Sequence, residues 1–208
     1  MTEKDYLKDI SEIKDIMNRS TRFLSLSGIS GILAGIYALI GGTIAYKLLT
    51  QQGRWTRGEA YTLTISSLAV ILVVIAGTVA MLSVVSAYVL TKRKAVQNNE
   101  KMWTPVSRQL LVSFIIPLVT GGIFALLLMY RGDYALIAPT TLIFYGLALF
   151  NASKFTLSTV KYLGLLEVVL GLVSMLFLGN GLFFWMLGFG VLHIVYGALI
   201  YIKLDKKS

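Results

Sequence analysis

Two ionisable residues that lie inside apolar segments are the groups best able to do chemistry in this chain. Glu167 lies within GLLEVVLG (164–171), and His193 lies within GVLHIVYG (190–197). Both segments have a glycine, then the polar residue three positions later, then a second glycine after four more. Residues spaced in this way lie on or beside one face of a helix. We therefore predict two similar helix faces, each with its polar residue beside two glycines.

An antiparallel hairpin of these two helices brings the polar residues together. If the chain turns near Asn180, residues whose numbers sum to about 360 face each other. The pairs in this register are Glu167 with His193, Gly164 with Gly197, and Gly171 with Gly190. We therefore predict glycine-to-glycine packing at two levels, with Glu167 against His193 between them. The pair would lie roughly 20 Å from the turn, near the middle of a bilayer.

The depth of this pair favours a role in binding a ligand or a proton. A charge near the bilayer centre costs at least about 2.5–3.5 kcal/mol, so such groups usually face a partner or a wet cavity. Glu167 and His193 can share one proton and then titrate as a unit. Tyr196, one helical turn from His193, is the third candidate binding residue, and Tyr37 and Tyr145 can share the same cavity. A hydrogen-bonded clasp that only holds the two helices in register explains the pair equally well.

Other chemistries have little support in the sequence. The chain has no Cys and one His, which excludes disulfides, thiolate nucleophiles and multi-histidine metal sites. Two ionisable groups are too few for a metal site, and no Gly-x-Ser-x-Gly nucleophile motif occurs. We therefore expect no metal, no cofactor and no enzymatic activity.

The composition shows which elements carry these residues. The 208 residues are 56% hydrophobic and 14% charged, whereas a soluble domain has about 25% charged residues. A membrane-spanning helix needs about 20 mostly apolar residues. Six runs qualify: Phe23–Leu49, Tyr61–Leu90, Gln109–Tyr130, Tyr134–Phe150, Thr159–Leu178 and Leu182–Leu204. We predict an all-α polytopic membrane protein with six transmembrane helices (23–204), a cytoplasmic amphipathic helix before them (1–22) and a short tail (205–208).

The distribution of basic residues predicts the orientation. Of the 19 Lys and Arg residues, fifteen lie before the first span, in or next to the second and fourth loops, and in the last six residues. The positive-inside rule then places both termini in the cytoplasm. This bias also accounts for the net charge of +9, so no nucleic-acid partner is needed to explain it.

Two segments indicate contacts with other helices. Residues 4–18 have apolar residues at helical spacing and an acid-rich polar face, which argues against anionic lipid and favours the chain's own loops, a second copy or a cytoplasmic protein. Gly31 and Gly35 form a Gly-x-x-x-Gly packing motif in the first span. Its partner is either in the same chain or in another copy, so a homo-oligomer is possible.

Local signals mark helix ends and turns. Thr104 and Pro105 predict a helix start, Pro117 predicts a kink in the third span, and Arg131-Gly132-Asp133 predicts a tight turn. Asn151, Ser153 and Lys154 are typical of a helix end that meets water, with an anionic headgroup contact as the alternative.

The stretch YLGLLEVVLGL, followed by FWMLGFGVLHIVYGALIY (162–201 overall), resembles small six-span bacterial inner-membrane proteins, as does RFLSLSGISGILAGIYALIGG near the start. The resemblance implies a six-span inner-membrane fold over most of the chain. It implies no substrate or reaction.

Three functions fit these observations, in this order. The first is a non-enzymatic membrane component that senses a signal, binds a lipophilic ligand or acts as a scaffold. The second is a small secondary transporter or channel that uses Glu167 and His193 as a proton relay. The third is an intramembrane lipid-modifying enzyme, for which the sequence offers an acid–base pair but no nucleophile.

Overall fold

The computed structural model describes residues 27–55, 65–97 and 102–202, and all regular structure within these ranges is helical. The first five helices are α1 (Gly28–Trp55), α2 (Ile65–Gln97), α3 (Pro105–Arg131), α4 (Ile137–Ala152) and α5 (Ser158–Leu176). The sixth span consists of α6 (Gly181–Trp185), a π-helical stretch (Met186–Leu192) and α7 (His193–Ile200). Short 3₁₀ turns cover Tyr134–Leu136, Ser153–Phe155 and Leu178–Asn180.

Six helical segments within the described ranges are long and apolar enough to cross a membrane. The chain is therefore an all-α, multi-pass membrane protein whose surroundings are a lipid bilayer, as its composition predicts. The second helix, Ile65–Gln97, extends further at its C-terminal end than the apolar run predicts. Its last turns carry Lys92, Arg93 and Lys94, so the helix continues past its apolar part.

The helix ends of α3 follow from local residue chemistry. The Thr104 side chain accepts a hydrogen bond from the Ser107 N–H, and the Ser107 side chain accepts one from the Thr104 N–H. This reciprocal cap satisfies two backbone donors at the predicted start. At the other end, Gly132 has φ 83°, a left-handed conformation that favours glycine. The predicted helix start and tight turn are both confirmed, and α3 is one helix across Pro117.

The helices form two groups of three. In the α1 group, α1 packs against α2 on one side and the sixth span on the other. In the α4 group, α4 packs against α3 and α5. The two groups meet where the sixth span contacts α5 and the start of α4. The contact between the two groups therefore involves the two helices that carry Glu167 and His193.

The glycines of the last two spans face other neighbours than the hairpin register predicts. A Cβ on Gly164 would lie 2.7 Å from the Gly146 oxygen of α4. Gly197 of the sixth span faces α1, where its added Cβ would lie 2.6 Å from the Ile32 nitrogen. Gly171 likewise faces α4, and Gly190 faces α1. The predicted pairing of Gly164 with Gly197 and of Gly171 with Gly190 is therefore wrong.

The helical repeat explains this difference. A residue three positions after a glycine lies roughly 60° around the helix from it, given about 3.6 residues per turn. A helix can therefore present its glycines to one neighbour and its polar residue to another. In this fold α5 presents its glycines to α4, and the sixth span presents Gly190 and Gly197 to α1, while both polar residues point between the groups.

The Gly-x-x-x-Gly motif of α1 has its partner within the same chain. A Cβ on Gly31 would lie 3.1 Å from the Gly197 Cα, and one on Gly35 would lie 2.5 Å from the Gly190 oxygen. Close backbone approach is what small residues permit between membrane helices. The motif thus joins α1 to the sixth span. The predicted helix at 4–18 and the tail at 205–208 lie outside the described residues.

Candidate functional site

Glu167 and His193 lie side by side at the contact between the two helix groups. Glu167 comes from α5, and His193 is the first residue of α7. The Glu167 Oε1 is 3.4 Å from the His193 Nδ1, and the two side chains are 0% and 8% exposed. The predicted meeting of these side chains is therefore confirmed, although the glycine packing expected to produce it is not present.

The hydrogen bonds of His193 define which ring nitrogen carries the proton. Nδ1 lies 3.0 Å from the Gly188 carbonyl oxygen. A carbonyl oxygen only accepts, so Nδ1–H is the donor. Nε2 lies 2.9 Å from the Tyr145 hydroxyl. A neutral imidazole accepts from that hydroxyl and an imidazolium donates to it. Both charge states of His193 therefore keep two hydrogen bonds.

The Glu167 carboxyl lacks such partners. Neither of its oxygens forms a hydrogen bond with any described residue, and the side chain is fully buried. A Cβ on Gly188 would lie 2.5 Å from Oε2 and equally close to Leu142. Buried polar groups are nearly always hydrogen-bonded, and an unpartnered one calls for a specific explanation. The burial of this carboxyl without a hydrogen-bond partner among the described residues therefore calls for an explanation.

A π-helical stretch places the groups around the imidazole. Residues Met186–Leu192 form this stretch immediately before His193. It brings the carbonyl of Gly188, five residues earlier, to within hydrogen-bond distance of Nδ1. Short π-helical segments are rare and frequently occur at functional sites. The sequence carries no periodic signal for this stretch, so neither Gly188 nor its carbonyl could be assigned from sequence.

Aromatic side chains enclose the cluster. The Phe189 ring stacks on His193 with centroids 6.0 Å apart and planes 17° apart. The same ring contacts Tyr145 at 4.9 Å and Trp185 at 5.0 Å between centroids. These apolar surroundings strengthen any electrostatic interaction within the cluster.

The three candidate tyrosines have different places. Tyr145 bonds to His193 and belongs to the cluster. Tyr196 packs against the buried residues Leu149, Val160 and Leu163, together with other apolar side chains. The Tyr37 hydroxyl lies 3.2 Å from the Ser86 hydroxyl of α2. Of the three, therefore, Tyr145 completes the site, and Tyr196 lies in the apolar packing beside it.

Ser174 is a second buried polar group without a partner among the described residues. It lies on α5, seven residues after Glu167 and on nearly the same face, about 10 Å along the helix. Within the described residues no three His, Cys, Asp or Glu side chains come close enough to hold a metal ion. The arrangement can exchange protons among a carboxyl, an imidazole and a phenol.

The polar residues at the end of α4 have structural roles. The Asn151 side chain donates to the Ser113 carbonyl of α3 at 3.0 Å, and the Ser153 hydroxyl donates to the Phe150 carbonyl at 2.6 Å. Lys154 is exposed. The first contact joins α4 to α3, and the second caps the helix end.

No known protein family matches the chain, and no curated protein or solved structure is significantly similar to it. The comparisons therefore bring neither a family nor an activity to the cluster.

Proposed function

We propose that this chain is a non-enzymatic membrane protein that binds and releases a proton at Glu167, His193 and Tyr145, and that this proton controls the contact between its two helix groups. The observation that carries the proposal is the fully buried Glu167 carboxyl without a hydrogen-bond partner among the described residues. A structural clasp would place a donor on each carboxyl oxygen. Here the principal bond of the imidazole Nδ1 goes to Gly188 instead.

The proton would affect the contact through charge. An unneutralised carboxylate at this depth is costly, so the charge of Glu167 is tied to that of the adjacent imidazole. Glu167 belongs to one helix group and His193 to the other. Gain or loss of one proton therefore changes the attraction between the groups directly. Such a protein would sense the pH or the electrochemical state at its membrane.

Counting protons tests this proposal. The purified protein is acidified from about pH 9 to about pH 3, a range that spans ordinary carboxyl and imidazole titration, and the bound protons are measured. We expect Glu167→Gln to bind about one proton fewer per chain than the wild type, because the carboxyl is lost from the coupled pair. Asp133→Asn, which removes an exposed carboxyl from the turn after α3, is the matched control. Equal proton uptake by the wild type and Glu167→Gln would refute the proposal.

Proton-coupled transport is the second candidate, and the position of the cluster favours it. Transporters commonly bind their ions between two groups of helices near the middle of the membrane. Ser174 extends the polar line from Glu167 toward the turn before the sixth span. In the opposite direction, however, the buried residues Leu149, Val160 and Leu163 lie against Tyr145 and pack with four more side chains, those of Phe114, Leu157, Leu192 and Tyr196. This apolar packing separates the cluster from that end of the helices, which favours sensing over transport.

Proton flux distinguishes the two candidates. Proteoliposomes carry a pH gradient, and the flux through the wild type is compared with that through Glu167→Gln. Sensing predicts equal, background flux in both proteins. Flux in the wild type that Glu167→Gln abolishes would instead establish transport. We propose, in addition, that the membrane is a bacterial inner membrane and that both termini lie in the cytoplasm. This orientation determines which side of the membrane each end of the sensor faces.

A further inference from the structure

A cavity of about 410 Å³ lies between α1, α2, α4 and the start of the sixth span. This volume falls within the range of about 300–1,000 Å³ that is typical of small-molecule sites. Much of its wall consists of glycine and alanine, whose missing side-chain volume forms the cavity: Gly41, Gly42, Ala45, Ala69, Ala76, Ala135, Ala138, Gly179 and Gly181. These small residues come from every element that encloses the cavity.

The lining gives water few partners. It consists almost entirely of apolar side chains, and the hydroxyl of Thr141 donates to the Ala138 carbonyl within its own helix. A buried water needs two to four polar partners, and apolar cavities otherwise stay dry or bind apolar ligands. The chemistry of the wall therefore selects an apolar occupant.

The rim connects the cavity to the bilayer. Leu49, Val73 and Leu178 line it and are each about two-fifths exposed, with values of 39%, 39% and 43%. The helix α2, which forms one wall, packs mainly against α1. The side between α2 and α4 is thus continuous with the surface that lipid covers. An occupant can enter sideways from the bilayer without crossing water.

We propose that this cavity binds an acyl chain of a membrane lipid. The occupant is apolar, it comes from the hydrocarbon layer that already covers the rim, and it fills space that no described side chain fills. Trp185 forms part of the wall, and its ring packs on Phe189, which stacks on His193. An acyl chain against Trp185 therefore lies two aromatic contacts from the proton-binding cluster. The binding site stands on the cavity itself and does not depend on the proposed proton binding.

Native mass spectrometry with cavity-filling variants tests this proposal. The protein is extracted in mild detergent, and the mass and number of retained lipids are recorded. We expect about one lipid per wild-type chain, consistent with a single site of this size. Ala138→Phe and Ala76→Phe should reduce retention about tenfold or more, because each places a ring in the cavity. Ala80→Phe, on the exposed part of α2 and outside the lining, should retain lipid as the wild type does.

The mass of the retained lipid identifies the source of the acyl chain, since a phospholipid and a free fatty acid differ in mass. If Ala138→Phe does not fold, the milder Ala69→Leu and the melting temperature of each variant keep the test valid. A lipid with a photoreactive group in its acyl chain gives an independent measurement. Its adducts on the delipidated protein should map to the peptides around Leu72 and Ala138. Unchanged lipid retention in the filling variants, or lipid adducts that map to other peptides instead, would overturn the proposal.

Discussion

The burial of Glu167 lowers the stability of the protein, and this cost is linked to the role proposed for the residue. Its carboxyl is buried without a hydrogen-bond partner among the described residues, so it does not contribute what a satisfied polar group would. Proteins retain such groups where activity requires them, at some cost in stability. If Glu167 served only to hold α5 against the sixth span, replacing it would instead lower the stability of the protein. The two roles therefore predict opposite effects of one substitution.

Glu167→Met should stabilise the protein by about 1–3 kcal/mol, because an apolar side chain of similar volume replaces an unsatisfied buried group. Thermal unfolding in detergent measures this change as a higher melting temperature. Leu142→Ala, which empties a fully buried apolar position next to the carboxyl, is the control for packing and should lower the melting temperature. A lower melting temperature for Glu167→Met would favour the clasp.

Tyr145→Phe should destabilise the protein by about 1 kcal/mol, because the 2.9 Å hydrogen bond to the His193 Nε2 is lost while the ring is kept. Tyr196→Phe is the matched control, since that side chain packs against the apolar side chains of Leu149, Val160 and Leu163. Melting temperatures of both variants are compared with the wild type. Equal losses in the two variants would contradict the assignment of Tyr145 to the cluster.

At the scale of the elements, the contact between α1 and the sixth span depends on glycine. The Gly28, Gly31 and Gly197 backbones approach so closely that an added Cβ would meet main-chain atoms, which cannot move aside as a side-chain end can. Two segments of similar sequence, GILAGIY and GVLHIVY, pack against each other on this surface.

Gly197→Ala should destabilise the protein by about 1–3 kcal/mol or more, because its Cβ would lie 2.6 Å from the Ile32 nitrogen and force the helices apart. Gly77→Ala is the control within a helix, since nothing lies within 4 Å of a Cβ at that position. It should be neutral or stabilise the helix. Unfolding of both variants in detergent is the measurement. A Gly197→Ala variant as stable as Gly77→Ala would show that this contact is not close.

The sequence predicts some of these elements and not others, for physical reasons. Apolar run length predicts the six helices, because a bilayer sets the length of a spanning segment. The hairpin register predicts that Glu167 and His193 meet. The same register assigns the glycines to the wrong neighbours. A register gives the level of each residue along two antiparallel helices, but it does not determine which faces of the helices are in contact. The hydrogen bond from His193 to Gly188 depends on the π-helical stretch, which no residue pattern in the sequence predicts.

At the scale of the whole molecule, the two groups of three helices meet along the polar cluster and are covered by lipid elsewhere. The helices α2 and α3 present mostly exposed apolar side chains. Within the described ranges, the charged residues lie near the helix ends, with Glu167 as the exception at depth. The positive-inside distribution then predicts on which side each end lies.

Thiol labelling tests that orientation, and the chain contains no native Cys to interfere. Asp133→Cys, at the turn between α3 and α4, should react with a membrane-impermeant thiol reagent in intact cells or spheroplasts. Ser208→Cys, at the C-terminus, should react only after the membrane is permeabilised. The opposite pattern would reverse the proposed orientation, and labelling of both sites in intact cells would show that the chain inserts in both directions.

Infrared difference spectroscopy of the Glu167 carboxyl is the most direct test of proton binding, because the C=O stretch of a protonated carboxyl is distinct from the bands of a carboxylate. Spectra of the reconstituted wild type, Glu167→Gln and Tyr145→Phe are recorded during a pH titration. We predict a carboxyl band that appears and disappears with pH in the wild type, is absent from Glu167→Gln and is shifted in Tyr145→Phe, where His193 loses a partner. If every pH-dependent carboxyl band of the wild type is also present in the spectrum of Glu167→Gln, proton binding at this site is contradicted.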